Sequence, residues 1–250
     1  MVVFMLTDDE WNRIKDCLPG KPGDPGLRGA DNRLFIEGIM WMARNGAKWR
    51  SLPEKYGKWS TVHKRFIRWS KKGIWQMILN TLAVDADTEW LMIDSTIIRA
   101  HQHAAGAKGG KEKQALGRFR GGFSTKIHAL CDALGNPLKF ILTPGQTSDF
   151  TQALTLLEGK TTTAILADKG YDADYIINAA IDMKAVAIIP LKSHRKVLRE
   201  YDKDIYKERN LIERMFNKLK HFRRVATRYD KLAQSFLSFV YIAATALWLK

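Results

Sequence analysis

The chain has 250 residues, enough for one large domain or for a small and a medium one, each with a core of its own. Lys and Arg total 41 against 26 acids, a net charge of +15, and such an excess points to a polyanionic partner, most simply nucleic acid. The two cysteines, Cys17 and Cys131, lie far apart with no C-x-x-C partner, which excludes a disulfide framework and a thiolate zinc site and fits a reducing compartment.

From the N-terminus, MVVFML is too short for a signal-peptide core and leads into Thr7-Asp8-Asp9-Glu10, so no leader is expected. Residues 1–82 read as helical. Thr7 and Glu10 have capping-box spacing ahead of Trp11, Ile14 and Leu18. After a Gly/Pro loop at 19–29, a second helix is predicted over 32–45, closed by Gly46. Ser51 and Glu54 repeat the capping-box spacing, with Pro53 early in a short helix and Gly57 as the turn. Ser60 is then placed as the cap of a basic third helix with His63, Lys64, Arg65, Arg68, Lys71 and Lys72. Short helix, Gly turn and basic helix make a helix-turn-helix outline. Trp41, Trp49, Trp59, Trp69 and Trp75 are expected in its core.

The acidic run 85–89 marks a boundary, and the pattern then turns to strands at 90–98, 125–131 and 138–143. The last two form a hairpin over the turn 132–137. A helix at 149–158, a strand at 163–167, a helix at 173–184 and a strand at 185–190 follow. This mixed-sheet α/β order is that of a ribonuclease H-like fold, predicted over 90–250 after the small all-α domain. The Gly- and Lys-rich segment 101–122 is long for a loop in a compact domain and is expected to be functional or disordered. Its basic residues Lys108, Lys111, Arg118 and Arg120, with Lys126 on the next strand, are candidate DNA-backbone contacts. Basic residues also concentrate at 192–224, 12 against 5 acids. The apolar stretch 236–249 is about 14 residues, short of the ~20 a membrane span needs, and reads as a buried terminal helix. A soluble cytoplasmic, nucleoid-associated protein is expected.

One further helix is predicted over 206–220, with Tyr206, Arg209, Glu213 and Lys220 on one stripe and Leu211, Ile212, Met215 and Leu219 largely opposite. Two aspartates sit in or just after apolar strands: Asp94 in WLMIDST and Asp168 in AILADKGYD. Two strand carboxylates and one helix carboxylate, Glu213, suit a magnesium phosphoryl-transfer site, because Mg²⁺ takes hard oxygen ligands and keeps waters and substrate phosphates. Two such ions are expected, with Mn²⁺ able to substitute. Lys126 and His128 share a strand face that can point toward this site. Asp149 reads first as a helix cap and second as a fourth carboxylate. His101 and His103 form an H-x-H without an evident third ligand, so loop surface or phosphate contact is the better reading.

The motifs LTDDEW, ARNGAKWRSLPEKYGKWSTVHKRFIRW, MIDSTIIRAHQHAAGAKGG, GGFSTKIHALCDALGNPLKFILTPGQTSD and ADKGYDAD, with the Tyr206–Arg209–Glu213–Lys220 spacing, resemble DDE-class insertion-sequence transposases of the insertion sequence five group, related to the insertion sequence four group. The resemblance covers essentially the whole chain. It implies a metal-binding catalytic triad of Asp94, Asp168 and Glu213, with Arg209 and Lys220 on phosphates and Tyr206 against a base or sugar. It also implies recognition of terminal inverted repeats, double-stranded DNA at transposon ends and target, and a homodimer or larger synaptic assembly. Two rivals remain: a tyrosine recombinase with Tyr206 as nucleophile, which would have no use for Asp94 and Asp168, and a catalytically silent DNA-binding protein derived from a transposase.

Overall fold

The computed structural model describes residues 5–21, 24, 31–107, 114–119, 121–193, 195 and 197–250. In chain order these form α1 (Asp8–Asn12), α2 (Asn32–Asn45), α3 (Trp59–Lys71), α4 (Ile74–Leu82), β1 (Trp90–Ala100), β2 (Gly117–Phe119), β3 (Gly122–Cys131) and β4 (Pro137–Pro144). There follow α5 (Ala153–Leu157), β5 (Ala164–Leu166), α6 (Asp174–Asp182), β6 (Val186–Ile188), α7 (Lys203–Lys207), α8 (Asn210–Lys220), α9 (Arg223–Ala226), β7 (Thr227–Arg228) and α10 (Ala233–Trp248). Contacts divide the chain into two compact units. One comprises Met1–Val84, Ala100–Gly110 and Leu219–Lys250, the other Asp85–Arg99 and Lys111–Lys218.

The first unit is helical. Thr7 and Glu10 make the reciprocal capping box at α1: Glu10 N–H donates to Thr7 Oγ1 at 3.2 Å and Thr7 N–H to Glu10 Oε2 at 2.8 Å. Asp31 caps α2 by accepting from Leu34 N–H at 3.0 Å, and Gly46 ends it at φ 62°, a left-handed cap. The helix expected after Ser51 is two 3₁₀ turns, Trp49–Ser51 and Glu54–Tyr56. Leu52, which precedes Pro53, is held extended between them, as steric contact with a proline ring favours. Ser60 is not the cap of α3 either; that helix starts at Trp59 after an extended Lys58, with no side-chain cap.

Apolar faces of α2, α3, α4 and α10 form the core, with Trp41, Trp69, Trp75, Phe66 and Phe239 all buried. Phe66 and Phe239 stack with centroids 4.6 Å apart, and Trp69 and Trp75 lie 5.2 Å apart. Arg224, part of the basic run, is used inside this unit. Its guanidinium lies over Phe239 at 4.6 Å and Trp49 at 5.4 Å, pairs with Asp230 at 3.0 Å and donates to the Ala47 carbonyl at 2.8 Å.

The second unit holds the mixed sheet. β1 runs antiparallel to β3 and parallel to β5, β6 continues in parallel beside β5, and β4 and the short β2 pair antiparallel with β3. This is a mixed α/β arrangement in the order β2-β3-β1-β5-β6, with β4 also on β3. Leu91, Met92 and Ile93 on β1 and Ile165 and Leu166 on β5 are fully buried, the continuous apolar runs expected of strands covered on both faces. The helix predicted at 149–158 is a 3₁₀ turn, Asp149–Gln152, followed by α5. The helix predicted over 206–220 is also divided: α7 ends at Lys207 and α8 starts at Asn210, leaving Glu208 and Arg209 at the break. In the 101–122 segment, Gln102–Ala104 is a 3₁₀ turn and β2 forms a hairpin with β3. Residues 108–113 and 120 lie outside the described residues. No helix among the described residues is long and apolar enough to cross a membrane.

Candidate active site

The β1–β5 register places the two strand aspartates at the same level. Met92 pairs with Leu166, and Asp94, inside β1, and Asp168, just past β5, each follow by two residues, beyond the carboxyl end of the parallel β1–β5 ladder. That end of a parallel pair is where open α/β sheets place ligands. Asp168 closes its strand in a tight turn by accepting from Gly170 N–H at 2.8 Å. A Cβ on Gly170 would sit 2.8 Å from Asp168 Oδ1, so a larger residue there would displace that carboxylate. Asp94 Oδ1 accepts from Ser95 N–H at 2.7 Å. Burial raises the Asp94 pKa to about 6, opposed by the Ser95 N–H and Arg209, while Asp168 and Asp149 push it further up.

Arg209 brings the helical carboxylate to this pair. Its Nη1 lies 3.0 Å from Asp94 Oδ2, and its Nη2 bonds Glu213 Oε1 on the first turns of α8. Arg209 and Asp94 are each under a fifth exposed, whereas Glu213 is half exposed. The Tyr206 ring lies 5.8 Å from the Arg209 guanidinium, with Tyr201 edge-on to it at 5.6 Å. Lys220, at the end of α8, is exposed.

Asp149 sits against the sheet face that carries Ser95, His128 and Lys126. Its Oδ1 accepts from Ser95 Oγ and from Lys126 Nζ, the latter at 2.6 Å, and Lys126 also donates to the Thr147 carbonyl at 2.6 Å. His128, two residues along β3 and fully buried, has Nε2 2.8 Å from Thr143 Oγ1. Burial, with Lys126 nearby, lowers its pKa to about 4. Tyr171 is also fully buried, with its hydroxyl beside Ser95. Burial, and then the charges of Asp94, Asp149 and Asp168, raise its pKa.

Two family models match the chain. "Putative transposase of IS4/5 family" matches residues 6–79, and "Transposase DDE domain" matches 85–249. The chain belongs to the DDE transposase family. An uncharacterized protein, y4sN, of Sinorhizobium fredii is 51% identical over 115 residues, 44% of this chain and 90% of the relative. A putative transposase for insertion sequence element IS6501 of Brucella ovis is 42% identical over 129 residues, 51% of this chain and 99% of the relative. Among solved structures, a piggyBac transposase synaptic complex with hairpin DNA is similar at a TM-score of 0.41 and 11% identity, over 78% of this chain and 51% of that one. The transposase thus spans about half the length of the piggyBac chain. A Mos1 mariner paired-end complex with Mn is similar at a TM-score of 0.28 and 12% identity, over 86% of each chain.

The donor set of this transposase, carboxylate oxygens alone, fits a hard divalent cation. Among the described residues no three His, Cys, Asp or Glu side chains converge closely enough to coordinate an ion. The Arg209 guanidinium supplies positive charge between Asp94 and Glu213.

The other predicted contacts are spread more widely. On α3, Lys64 and Arg68 are exposed. Arg65 instead packs over Phe35 at 4.2 Å and Trp69 at 4.9 Å and bonds Asn32, and burial, then Arg68, lowers its pKa to about 10. His63 lies 4.6 Å from the Trp49 ring. Arg118 is exposed on β2, 5.1 Å from the Phe123 ring. Lys108, Lys111 and Arg120 lie outside the described residues. His101 Nδ1 accepts from His103 N–H at 3.2 Å, so that ring nitrogen is engaged locally.

Sequence reasoning missed Ser95, Tyr171 and Asp172. Asp172, fully buried, takes Lys192 N–H at 2.9 Å and Arg195 Nε at 3.0 Å, which ties part of the basic run to the fold. Its only sequence signal is position: Tyr171 and Asp172 end the ADKGYD turn, as Ser95 follows Asp94.

Proposed function

We propose that this transposase cuts and rejoins DNA at the terminal inverted repeats of its element by magnesium-dependent in-line phosphoryl transfer, at a centre built from Asp94, Asp168 and Glu213. The observation that carries the reading is that Asp94 and Asp168 each come two residues after the last pair, Met92 and Leu166, of the parallel β1–β5 ladder, with Glu213 linked to Asp94 through Arg209. The three carboxylates would hold the divalent cation, with Mn²⁺ able to substitute. When bound, such ions neutralise charge on the reacting phosphate and activate the attacking water or 3′-hydroxyl.

The chain's own residues hold the DNA. Arg209, a planar fork already at the carboxylates, grips a phosphate oxygen next to the scissile bond, and Lys220 acts as a point charge further along α8. Tyr206 supports the Arg209 guanidinium with its ring face and stands ready to stack on a nearby base or sugar. Lys64 and Arg68, exposed on the basic helix α3, are the leading contacts to the end sequence, and Arg118 and Lys126 belong to the sheet unit that carries the chemistry. The assembly acts as a dimer or larger synaptic complex on two ends.

The test is cleavage of a labelled duplex carrying the element's own end. A cut at the element boundary that needs Mg²⁺ or Mn²⁺, vanishes in EDTA and leaves no protein–DNA adduct supports the reading. Cutting in EDTA with an adduct lost in Tyr206→Phe overturns it in favour of a tyrosine nucleophile. End binding without any cut identifies a silent DNA-binding protein.

A further inference from the structure

Resting on the DNA-cutting reading above, we propose that Val197 and Leu198 form an apolar wedge that enters a base step of the bound end beside the reacting phosphate. The pair stands out first by exposure: Val197 is 79% exposed and Leu198 82%, within a run that is otherwise strongly basic. A single bare apolar side chain is ordinary on a protein surface. Two in succession, on a segment tied down at both ends, call for a partner.

The first anchor is Asp172, fully buried and four positions after Asp168. Its carboxylate accepts from Lys192 N–H at 2.9 Å and Arg195 Nε at 3.0 Å, and lies 3.6 Å from Arg199 Nη1. Lys192 Nζ donates to the Asp172 carbonyl at 3.0 Å, and Arg199 Nη2 to the Ile189 carbonyl at 2.8 Å. Two arginines held at one buried carboxylate therefore bracket Val197 and Leu198. The second anchor is aromatic. Tyr201 meets Tyr206 edge-on at 5.6 Å, and the Tyr206 ring lies 5.8 Å from the Arg209 guanidinium, which bonds Asp94 and Glu213. The apolar pair thus rides on the stretch of chain that joins the Asp168 turn to the carboxylates at Arg209.

Size and charge identify the partner. A stable protein interface covers about 800 Å² on each side, far more than two side chains supply, whereas a single apolar wedge suffices to part a base step and kink a duplex. The pair belongs to the run 192–224, with 12 basic residues against 5 acidic, the complement of a phosphate backbone. Phosphate contacts hold DNA without gripping its bases, and the apolar pair supplies that grip. Parting the stack at one step bends the backbone there and presents the neighbouring phosphate to the carboxylates.

The experiment places 2-aminopurine, a base whose fluorescence rises when it leaves the stack, at successive positions of a duplex carrying the element's own end. The full chain is added to saturation without divalent metal, so that no cut intervenes, and binding is followed by anisotropy. Wild type should give a several-fold rise confined to one step near the element boundary. The double variant Val197→Ser, Leu198→Ser should lose that rise at saturation while melting as wild type does, because both side chains are exposed. Leu198→Met, which keeps the apolar bulk, should retain it. An unchanged rise in the double variant, or no rise at any position with wild type bound, overturns the wedge and leaves the DNA-cutting reading standing. An unchanged rise together with an altered sedimentation coefficient of the DNA-free double variant also overturns it, and assigns the pair to a contact between copies of the chain. Failure of wild type to bind the end overturns the DNA-cutting reading itself, and the wedge with it.

Discussion

Arg209 Nη1 lies 3.0 Å from Asp94 Oδ2 although the two residues are 115 positions apart in the chain. The same guanidinium bonds Glu213, so one side chain joins a strand carboxylate to a helix carboxylate. A planar fork can hold both at once, which a lysine cannot. A divalent cation held by these carboxylates, as proposed, would compete with the guanidinium for the same oxygens.

Arg209→Ala should raise Mn²⁺ affinity of the DNA-free protein roughly tenfold, about 1.4 kcal/mol, while lowering cleavage of end DNA. Arg209→Lys should fall between. Paramagnetic titration of free Mn²⁺ reads the first effect, and unchanged affinity in Arg209→Ala would show that the contact does not guard the site.

Gly170→Ala is expected to damage chemistry more than stability. The added Cβ would meet Asp168 Oδ1 at 2.8 Å and displace the carboxylate that Gly170 N–H now holds. Misplacing a reacting group by about 1 Å can cost on the order of a hundredfold in rate. Cleavage rate and far-ultraviolet circular dichroism, measured together, should show a large loss of the first and little change in the second.

His128 carries a pH dependence of known sign. Its folded pKa, about 4, lies below the ordinary 6.5 because burial disfavours the charged ring, so the unfolded chain binds more protons between these values. Stability supplied by keeping His128 neutral is present above about pH 6.5 and is lost as pH falls toward 4, by up to about 3 kcal/mol. Asp94, raised to about 6, acts in the opposite direction over part of this range, so wild type must be compared with His128→Gln. The difference in melting temperature between the two should shrink from pH 7 to pH 4.5. A constant difference would contradict a neutral buried ring.

On α3, Lys64→Ala and Arg68→Ala should each weaken binding to end DNA and reduce the salt slope of log K by about 1, as loss of one phosphate contact does. Arg65→Ala should instead lower the melting temperature, because Arg65 packs on Phe35 and Trp69. Filter binding across a salt series and thermal unfolding separate the two classes.

Much of this site could be read in the sequence because its carboxylates follow apolar strands, and strand burial leaves a clear pattern. Asp94 and Asp168 follow the runs that become β1 and β5, and Glu213 follows a helical stripe. What the pattern hid depends on contacts distant in sequence. Tyr206 and Arg209 keep helical phase with Glu213, so periodicity draws one helix; the break at Glu208–Arg209 accompanies a pairing with Asp94 on another element. Ser95 and Tyr171 gain meaning only once strand register and a tight turn set them beside Asp149 and Asp94. The basic run at 192–224 looks uniform as sequence, yet Arg195 serves Asp172 and Arg224 serves Asp230 and the aromatic core. Charge counts do not distinguish a solvated arginine from a packed one.

The measurement closest to the central claim is cleavage of end DNA by Asp94→Asn, Asp168→Asn and Glu213→Gln, each first shown to bind that DNA as wild type does. The expected result is retained binding with metal-dependent cleavage lost by at least about a thousandfold in all three, since each removes charge stabilisation of the transferring phosphate. Near wild-type cleavage by any one of them would remove that carboxylate from the centre.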